Sequence, residues 1–419
     1  MNPNRSYDCV VIGAGPAGAS VATLVAEQGH STLLIEREKL PRFHVGESLM
    51  PECYWAFERL GVIEEMNRIG FTRKNGVQFV SSDDKESHPF IFPDFDPHPS
   101  STTWHVNRDQ FDKMLVDVAF ARGATCLDET RVLDLDLRAK GNHKLTIETS
   151  GKKQHEISAR VVVDASGQSS LIANRLDLKQ YYPDLKKAAI WGYFENAARN
   201  GGDNPEVTCI LHTESKEAWF WYIPLANGTV SVGLVGDNGF ILKRGSSPEK
   251  TFQSEMDNCP GLKRRLRDAH QTGRFNVAKE FSYMTKKQSG EGWVLVGDAA
   301  GFIDPIYSSG VFLALKSGVM AGEAVAEGLN TNNLTAEQLG KWTSEYDSGV
   351  HWIRKLVRAF YTNEFSFGGF MKAHPEHAGN LTDLLVGKVW EGNPGRIFDD
   401  LDPWIDRIKK GEMAASVSS

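Results

Sequence analysis

Tyr7-Asp-Cys-Val-Val-Ile12 running into Gly13-Ala-Gly15-Pro-Ala-Gly18 is the stretch that decides the fold. A short apolar run, a glycine turn and a helical segment to about Glu27 predict strand, turn and helix, and Thr32 to Ile35 reads as a second strand. Gly13 permits the tight turn, Gly15 lets the backbone approach a pyrophosphate, and Gly18 allows close helix packing. The helix N-terminus then turns unpaired N–H groups toward the anion. Glu36 closes the second strand about 20 residues on, where an acid that binds a ribose belongs. A tight turn without a ligand is the bland alternative, and Glu36 counts against it.

Outward from this unit, Arg160-Val-Val-Val-Asp164 and Gly292-Trp-Val-Leu-Val-Gly297 are short apolar runs that end in Asp or Gly, as central parallel strands do. Three distant segments are therefore expected to build one sheet. Between them, Ala188 to Val235 is rich in β-branched and aromatic residues, with Thr229-Val-Ser-Val-Gly-Leu-Val235 as its clearest strand, and predicts an antiparallel sheet. Residues 82 to 103, with Pro89, Pro93, Pro97 and Pro99, read as a surface loop. From about Leu334 the aromatics Trp342, Tyr346, Trp352 and Phe360 fall at helical spacing and predict a helical region ending in a polar tail.

The expected fold class is α/β: a Rossmann-like nucleotide-binding domain (1–75, 104–180 and 285–333), an inserted mixed β-sheet domain on the substrate side (76–103 and 181–284), and a helical C-terminal region (334–419). The chain has 419 residues and 41% hydrophobic composition, enough for a sizeable core. With 47 basic against 54 acidic residues and a net charge of −7, no broad attraction to nucleic acid or an anionic membrane is expected. The five cysteines form no C-x-x-C pair, so no metal site is expected from them. His374-x-x-His377, interrupted by Pro375, reads as surface histidines, and Lys263-Arg264-Arg265 as a solvated helix face. The uncharged run Cys9 to Ala26 is broken by glycine and proline and lacks a basic n-region, and no other stretch reads as long and apolar enough to span a bilayer, which predicts a cytoplasmic protein.

Two further fingerprints make the sequence resemble the flavoprotein monooxygenases: Asp164-Ala-Ser-Gly167-Gln-Ser-Ser170 and Gly297-Asp298-Ala-Ala-Gly301. With Val106-Asn-Arg108-Asp-Gln-Phe111-Asp112 these motifs cover most of residues 7 to 330. The resemblance implies FAD, held by Gly13, Gly15, Ala17, Gly18, Glu36, Arg37, Gly46, Glu47, Ser48, Arg108, Asp164, Gly167, Gly297, Asp298 and Gly301. Within that superfamily, Trp219-Phe-Trp221-Tyr-Ile223-Pro224 is similar to the W-x-W-x-I-P signature of flavin-dependent halogenases. Phe302-Ile-Asp-Pro305-Ile-Tyr-Ser308-Ser309-Gly310 is similar to their F-x-x-P-x-x-S-x-G segment, and a glycine-containing turn opening a helix suits a small anion. Phe71-Thr-Arg-Lys74-Asn-Gly76 resembles the F-x-x-K-x-G segment of their essential lysine, and Arg42-Phe-His-Val-Gly46-Glu47-Ser48-Leu-Met-Pro51 the segment along their flavin.

The halogenase resemblance implies that reduced FAD, supplied by a separate NAD(P)H-dependent flavin reductase, forms a C4a-hydroperoxide with oxygen. A halide co-substrate, chloride or bromide, held near Ser309 and Gly310, is then oxidised to hypohalous acid. Lys74 is the implied catalytic residue that directs this oxidant to an electron-rich aromatic ring, and Trp219, Trp221, Pro305 and Ser308 are the implied tunnel and substrate wall. A buried lysine suits the task, because its ammonium has three donors and its neutral amine can react with hypohalous acid. Tryptophan halogenases are much longer and carry a Glu shortly before the halide-site Gly, whereas Tyr307 stands here. The sequence is closer to halogenases of phenols or pyrroles, whose substrates are free or bound to a carrier protein. Three rivals share parts of the pattern: a geranylgeranyl-reductase-type enzyme, with Gly233 after Pro224 as its mark, an NADPH-dependent aromatic hydroxylase, and a non-enzymatic flavin-binding redox sensor.

Overall fold

Strand β1 (Ser6–Ile12), helix α1 (Pro16–Glu27) and strand β2 (Thr32–Ile35) lie where the glycine turn predicts them. The computed structural model describes residues 6–138, 142–200, 204–215, 217–242, 246–279, 282–362 and 365–412, so the polar tail at 413–419 lies outside the described residues. Next come β3 (Thr72–Lys74), β4 (Gly76–Val80), β5 (Phe90–Ile91), β6 (Thr103–His105), α2 (Arg108–Ala121), β7 (Thr125–Leu127) and β8 (Gln154–Asp164). The strands of the second sheet are β9 (Lys187–Glu195), β10 (Thr208–His212), β11 (Ala218–Pro224), β12 (Thr229–Asp237) and β13 (His270–Lys279). They are followed by β14 (Ser289–Gly290), β15 (Trp293–Leu295), α3 (Ser309–Asn330), α4 (Thr343–Phe360) and α5 (Phe398–Lys409).

The nucleotide-side sheet has the order β14-β15-β8-β1-β2-β7. Its centre is parallel: β1 pairs with β8 and β2, β8 with β15, and β2 with β7. Three segments far apart in sequence thus meet side by side, and Val10, Val11 and Val161 to Val163 are fully buried, as central parallel strands require. The second sheet has seven strands in the order β13-β9-β12-β11-β10-β4-β5. It is antiparallel except where β10 runs parallel to β4. A separate ribbon of β3 and β6 places Lys74 opposite Thr103 and Thr72 opposite His105.

One hydrophobic core joins the two sheets. Along β11, Trp219, Trp221 and Ile223 belong to that shared core, whereas Phe220 and Tyr222 face a second cluster around Phe252 on the other side of the sheet. This is the period-two alternation of a strand buried on both faces. Helix α3 packs on α1 at close range: a Cβ on Gly318 would meet the Ala17 carbonyl oxygen at 2.6 Å.

Several expectations need correction. By length and composition α3 could cross a bilayer, contrary to the reading that no such segment exists, but it is mostly buried inside the protein and serves as a core helix. Residues 82–103 hold β5 and two short 3-10 turns, Phe92–Asp94 and Pro99–Ser101, and Phe92 is buried. The region acts as a wall for Lys74, whose Nζ lies 5.9 Å from the Phe92 ring centroid. His377 is buried against Phe370, with Nε2 2.8 Å from Asp400. Arg265 is buried too, pairing with Glu86 at 2.7 Å, because the turn at 84–86 brings two acids onto that helix face.

Candidate active site

At the end of β1 the glycine turn divides into two kinds of position. Gly13 has φ +105°, and its missing Cβ would lie 2.2 Å from the Ala165 carbonyl oxygen. A Cβ on Gly18 would lie 1.9 Å from the Gly13 carbonyl, so packing alone excludes a side chain at either place. Gly15 is different, since the nearest atom to its Cβ direction is Arg42 Nη2 at 3.8 Å. Its bareness leaves open the space in front of α1, whose N-terminus no side chain caps. Unsatisfied N–H groups, an arginine and an open cradle fit a pyrophosphate.

Glu36 follows β2 and accepts from the Ala14 and Glu38 N–H groups at 3.2 and 3.1 Å and from Arg42 Nε at 3.2 Å. Arg37 points outward and pairs with Glu38. Behind them lies a buried ionic cluster in which Arg42 Nη1 meets Asp112 at 2.7 Å and Arg108 clasps the same carboxylate through Nε and Nη2 at 2.8 and 2.9 Å. Burial pushes the Asp112 carboxyl up, but Arg108 and Arg42 outweigh it and hold the group below its ordinary range. Asp164 accepts from the Ser166 and Ile172 N–H groups at 3.0 and 2.7 Å, so its carboxylate fixes the turn that carries Gly167. Ala17 and Gly297 meet where α1 approaches the 297–301 turn, and Gly301 pairs with Met284.

Asp298 is half-buried, and among the described residues no side chain or N–H group holds its carboxylate. Burial pushes it up to about 6, opposed by Arg108. An acid in this condition gains from hydroxyl donors that a ligand would bring. Together with the Gly15 cradle it satisfies the chemistry of a flavin dinucleotide: anion at the α1 N-terminus, hydroxyls at Glu36 and Asp298.

From this cluster the chain leads to the reactive end. Arg108 Nη1 donates to the Val45 carbonyl at 2.5 Å and so anchors the segment Gly46-Glu47-Ser48. Gly46, at φ +106°, lies against Val311 in the first turn of α3, 3.5 Å from its Cβ direction. Glu47 is buried; burial raises its carboxyl, while Tyr193 Oη, donating at 2.6 Å, opposes the shift. One residue on, Ser48 Oγ accepts a hydrogen bond from Lys74 Nζ at 2.9 Å, and the Leu49 carbonyl accepts another at 2.9 Å. Lys74 is only 4% exposed, with no carboxylate beside it, and burial lowers its amine to about 7. The same four-residue segment thus touches the first turn of α3 at Gly46 and receives the lysine at Ser48 and Leu49.

The turn that opens α3 has Ser308 in the left-handed region, φ +59°, its N–H donating to the Pro305 carbonyl at 3.0 Å. No side chain caps the helix, Ser309 is buried, and Gly310 lies under the Phe302 ring, 2.9 Å from its missing Cβ. Trp221 fills the place of a side chain on Gly233, whose Cβ would fall 2.2 Å from the indole, and its Nε1 donates to Ser231 at 3.1 Å. Trp219 Nε1 donates to Tyr361 Oη at 3.0 Å, and Tyr361 Oη donates in turn to Asp304, 3.1 Å from either oxygen. Asp304 is buried in the same turn as Pro305, and burial pushes its carboxyl up to about 7.

Sequence reasoning quoted Arg42, Asp112 and Asp304 inside motifs without giving them roles, counted Tyr361 only among the C-terminal core aromatics, and did not single out His105 or Thr208. His105 and Thr208 carry no local signature: β6 and β10 bring them to Ser48 from positions 57 and 160 residues away, as the sequence numbers show. Buried polar residues in short strands are the available signal, and burial is not legible in a sequence.

The family described as tryptophan halogenase matches residues 8–100 and 94–367. The chain is 30% identical over 400 residues to a 1H-pyrrole-2-carbonyl-[peptidyl-carrier protein] brominase of Pseudoalteromonas luteoviolacea, covering 92% of this chain and 93% of that protein. It is 28% identical over 418 residues to a 1H-pyrrole-2-carbonyl-[peptidyl-carrier protein] chlorinase of Pseudomonas fluorescens, covering 95% and 93%. The solved structure of the flavin-dependent brominase Bmp2 superposes with a TM-score of 0.85 at 28% identity, over 96% of this chain and all of that one.

Proposed function

The chain belongs to the flavin-dependent halogenases, FAD enzymes of the oxidoreductase class, and from that premise we propose that it halogenates a pyrrole-type aromatic ring presented on a carrier protein. When bound, reduced FAD supplies the electrons with which dioxygen becomes an oxidant for halide. In this reading the α1 N-terminus and Arg42 hold the pyrophosphate, while Glu36 and Asp298 take sugar and ribityl hydroxyls. The uncapped first turn of α3, at Ser309 and Gly310, directs N–H groups at chloride or bromide. Trp219 and Trp221, locked by Tyr361 and Ser231, separate that turn from the acceptor ring and keep water out.

The observation that carries the reading is Lys74, an amine buried without a counter-charge and hydrogen-bonded to the segment that abuts the α3 turn. Such a group serves no salt bridge among the described residues, and a buried, unpaired amine that costs stability marks a functional site. It orients hypohalous acid or carries its halogen to the ring. The substrate class is supported by the two pyrrolyl-carrier relatives and by Tyr307, a neutral hydroxyl bonded to the Leu356 carbonyl at 3.4 Å, at the place where tryptophan halogenases carry an acid. Electrons would come as reduced flavin from a separate NAD(P)H-dependent reductase.

The test supplies reduced FAD from such a reductase, bromide or chloride, and pyrrolyl-2-carbonyl carrier protein, and follows the acyl group by mass spectrometry. Wild-type protein should add halogen to the ring, and Lys74→Ala should reoxidise flavin at the wild-type rate with no halogenated product. Product from Lys74→Ala at the wild-type rate removes the role given to the lysine. Halogenation of a free phenol with none of the carrier-bound pyrrole removes the substrate class.

A further inference from the structure

Lys74 does not end its hydrogen bonding at Ser48. Ser48 Oγ lies 3.0 Å from Thr208 Oγ1, and Thr208 Oγ1 lies 2.8 Å from His105 Nε2. Every member of this line is buried: Lys74 at 4%, Ser48 at 5%, Thr208 at 4% and His105 at 0% exposure. Four separate segments build it: the flavin-side loop, β3, β6 and β10. The ribbon register sets its ends, because Lys74 pairs with Thr103 and His105 with Thr72, which puts the lysine and the histidine on one face of β3–β6, two residues apart along it. Ser48 bridges to His105 through the backbone as well. The second ring nitrogen, Nδ1, faces the Pro224 carbonyl without closing a bond of normal geometry.

We propose that His105, acting through the hydroxyls of Thr208 and Ser48, is the internal proton acceptor that converts the Lys74 ammonium into a reactive amine. The inference rests on the reading of Lys74 given above. In one arrangement the ammonium donates to Ser48, Ser48 to Thr208, and Thr208 to a neutral His105 whose proton sits on Nδ1. A proton moved along each link, with neither hydroxyl rotated, gives the other. The Lys74 Nζ–H bond breaks as a Ser48 O–H bond forms, the former Ser48 proton goes to Thr208, and the former Thr208 proton goes to His105 Nε2. The protein's proton count is unchanged, and one buried cation has moved from lysine to histidine.

The neutral amine then attacks hypohalous acid: an N–halogen bond forms, the O–halogen bond breaks, and water leaves with one amine proton. Transfer of the halogen to the ring, with the ring proton returned to nitrogen, regenerates the amine, and His105 gives its proton back. The groups that face this line do not compete for the proton. Cys53 beside Lys74 is held neutral by burial, whereas burial, the Lys74 ammonium and the Arg199 cation hold the His105 imidazole well below its ordinary range, so the histidinium is a transient carrier that forms only as Lys74 gives up its charge. No carboxylate of the described residues bonds to any member of the line.

Thr208→Val keeps the shape and both charged ends but removes the link, and Thr208→Ser restores a hydroxyl. Single-turnover halogenation of the carrier-bound pyrrole should fall less steeply between pH 6 and 5 in wild type and Thr208→Ser than in Thr208→Val, because the relay supplies neutral amine beside the direct loss of its proton to solvent. In Thr208→Val the amine must lose its proton to solvent, so the rate should rise roughly tenfold per pH unit over that interval. A second readout needs neither flavin nor substrate: in 15N-histidine-labelled protein at pH 6.5, His105 Nε2 should carry the shift of an unprotonated acceptor nitrogen and lose its hydrogen-bond displacement in Thr208→Val. A wild-type pH profile in Thr208→Val, or a protonated Nε2 on a neutral His105 in wild type, overturns the relay. Should Thr208→Val not fold, the wild-type ring spectrum alone decides. Lys74→Ala separates the layers, for halogenation surviving that change removes the role of the lysine itself, whereas its loss alongside an unaltered Thr208→Val removes only the relay.

Discussion

Lys74→Met should stabilise the folded protein, and by an amount that shrinks as pH rises. Burial lowers the Lys74 amine from 10.5 to about 7. Between those values the unfolded chain binds a proton that the folded chain does not, so stability rises with pH across the interval. Below pH 7 both states hold the proton and the folded state carries a buried cation in full. A displacement of this size corresponds to about 5 kcal/mol at its upper limit, at 1.36 kcal/mol per pKa unit. Working the same relation at two pH values, the burden is about 4 kcal/mol at pH 7 and about 2 kcal/mol at pH 9, so wild type should gain about 2 kcal/mol over that range. Methionine at 74 has nothing to titrate. It leaves Ser48 and the Leu49 carbonyl without their donor, at a loss of roughly 1–3 kcal/mol that does not vary with pH. The diagnostic is therefore the difference in pH slope between the two proteins, not the size of the gain. Urea midpoints of the main transition, followed by circular dichroism at pH 7 and 9, measure it, and every other titrating group cancels between the two. Parallel slopes would refute the reasoning, because they would mean the lysine keeps its ordinary affinity for protons in the folded state.

Three further outcomes follow from other parts of the site. Asp112→Asn leaves Arg42 and Arg108 buried without their shared carboxylate, and it should cost about 3–5 kcal/mol in thermal melts and weaken FAD retention measured by flavin fluorescence. Asp304, raised to about 7, binds its proton more tightly folded than unfolded, so wild-type stability should fall as pH rises from 4 to 7; Asp304→Asn should abolish that decline, with up to about 4 kcal/mol regained at pH 8 in urea melts. Gly233→Val drives a side chain into the Trp221 indole, 2.2 Å from the Cβ position, and should destabilise by about 1–3 kcal/mol with a changed near-ultraviolet tryptophan signal.

The nucleotide half of the fold is legible in the sequence because its constraints are local. Gly18 is fixed by the Gly13 carbonyl within the turn, and Glu36 lies one strand away, so residue type and spacing carry the information, although the Ala165 carbonyl that bars a side chain at Gly13 comes from a distant strand end. The W-x-W-x-I pattern is legible for a similar reason, as alternation alone puts Trp219, Trp221 and Ile223 on one face of β11. What escapes are contacts closed across the fold. Arg265 looks like a solvated base until Glu86 is brought to it, and α3, read as too short an apolar run to span a bilayer, is long and apolar enough by length and composition but is mostly buried as a core helix. Residues 82–103 read as a loop because four prolines dominate their composition, yet Phe92 lies under Lys74. The lysine motif itself is readable, but not the burial and hydrogen bonding of Lys74, which lie in the company it keeps.

That company includes no acid at the place in the turn that opens α3 where the resemblance to tryptophan halogenases would put a Glu. Tyr307 occupies that position here and directs its hydroxyl to the Leu356 carbonyl, so it offers no negative charge to the reactive end. Asp304, the nearest acid in the same turn, is turned toward Tyr361 and raised toward neutrality by burial. Among the described residues one hydroxyl, one carbonyl and the Phe92 ring face the Lys74 ammonium, and burial lowers its proton affinity to the range in which ammonium and amine are both accessible at neutral pH. A carboxylate beside it would restore the ammonium and quench the nucleophile. Tyr307→Glu tests whether an acid in the turn that opens α3 reaches that amine. A carboxylate that ionises there should raise the Lys74 proton affinity and slow halogenation near pH 7 while leaving flavin oxidation intact. An unchanged rate, with the glutamate shown by NMR to be ionised, would mean that the acceptor ring, and not the proton on Lys74, limits the reaction.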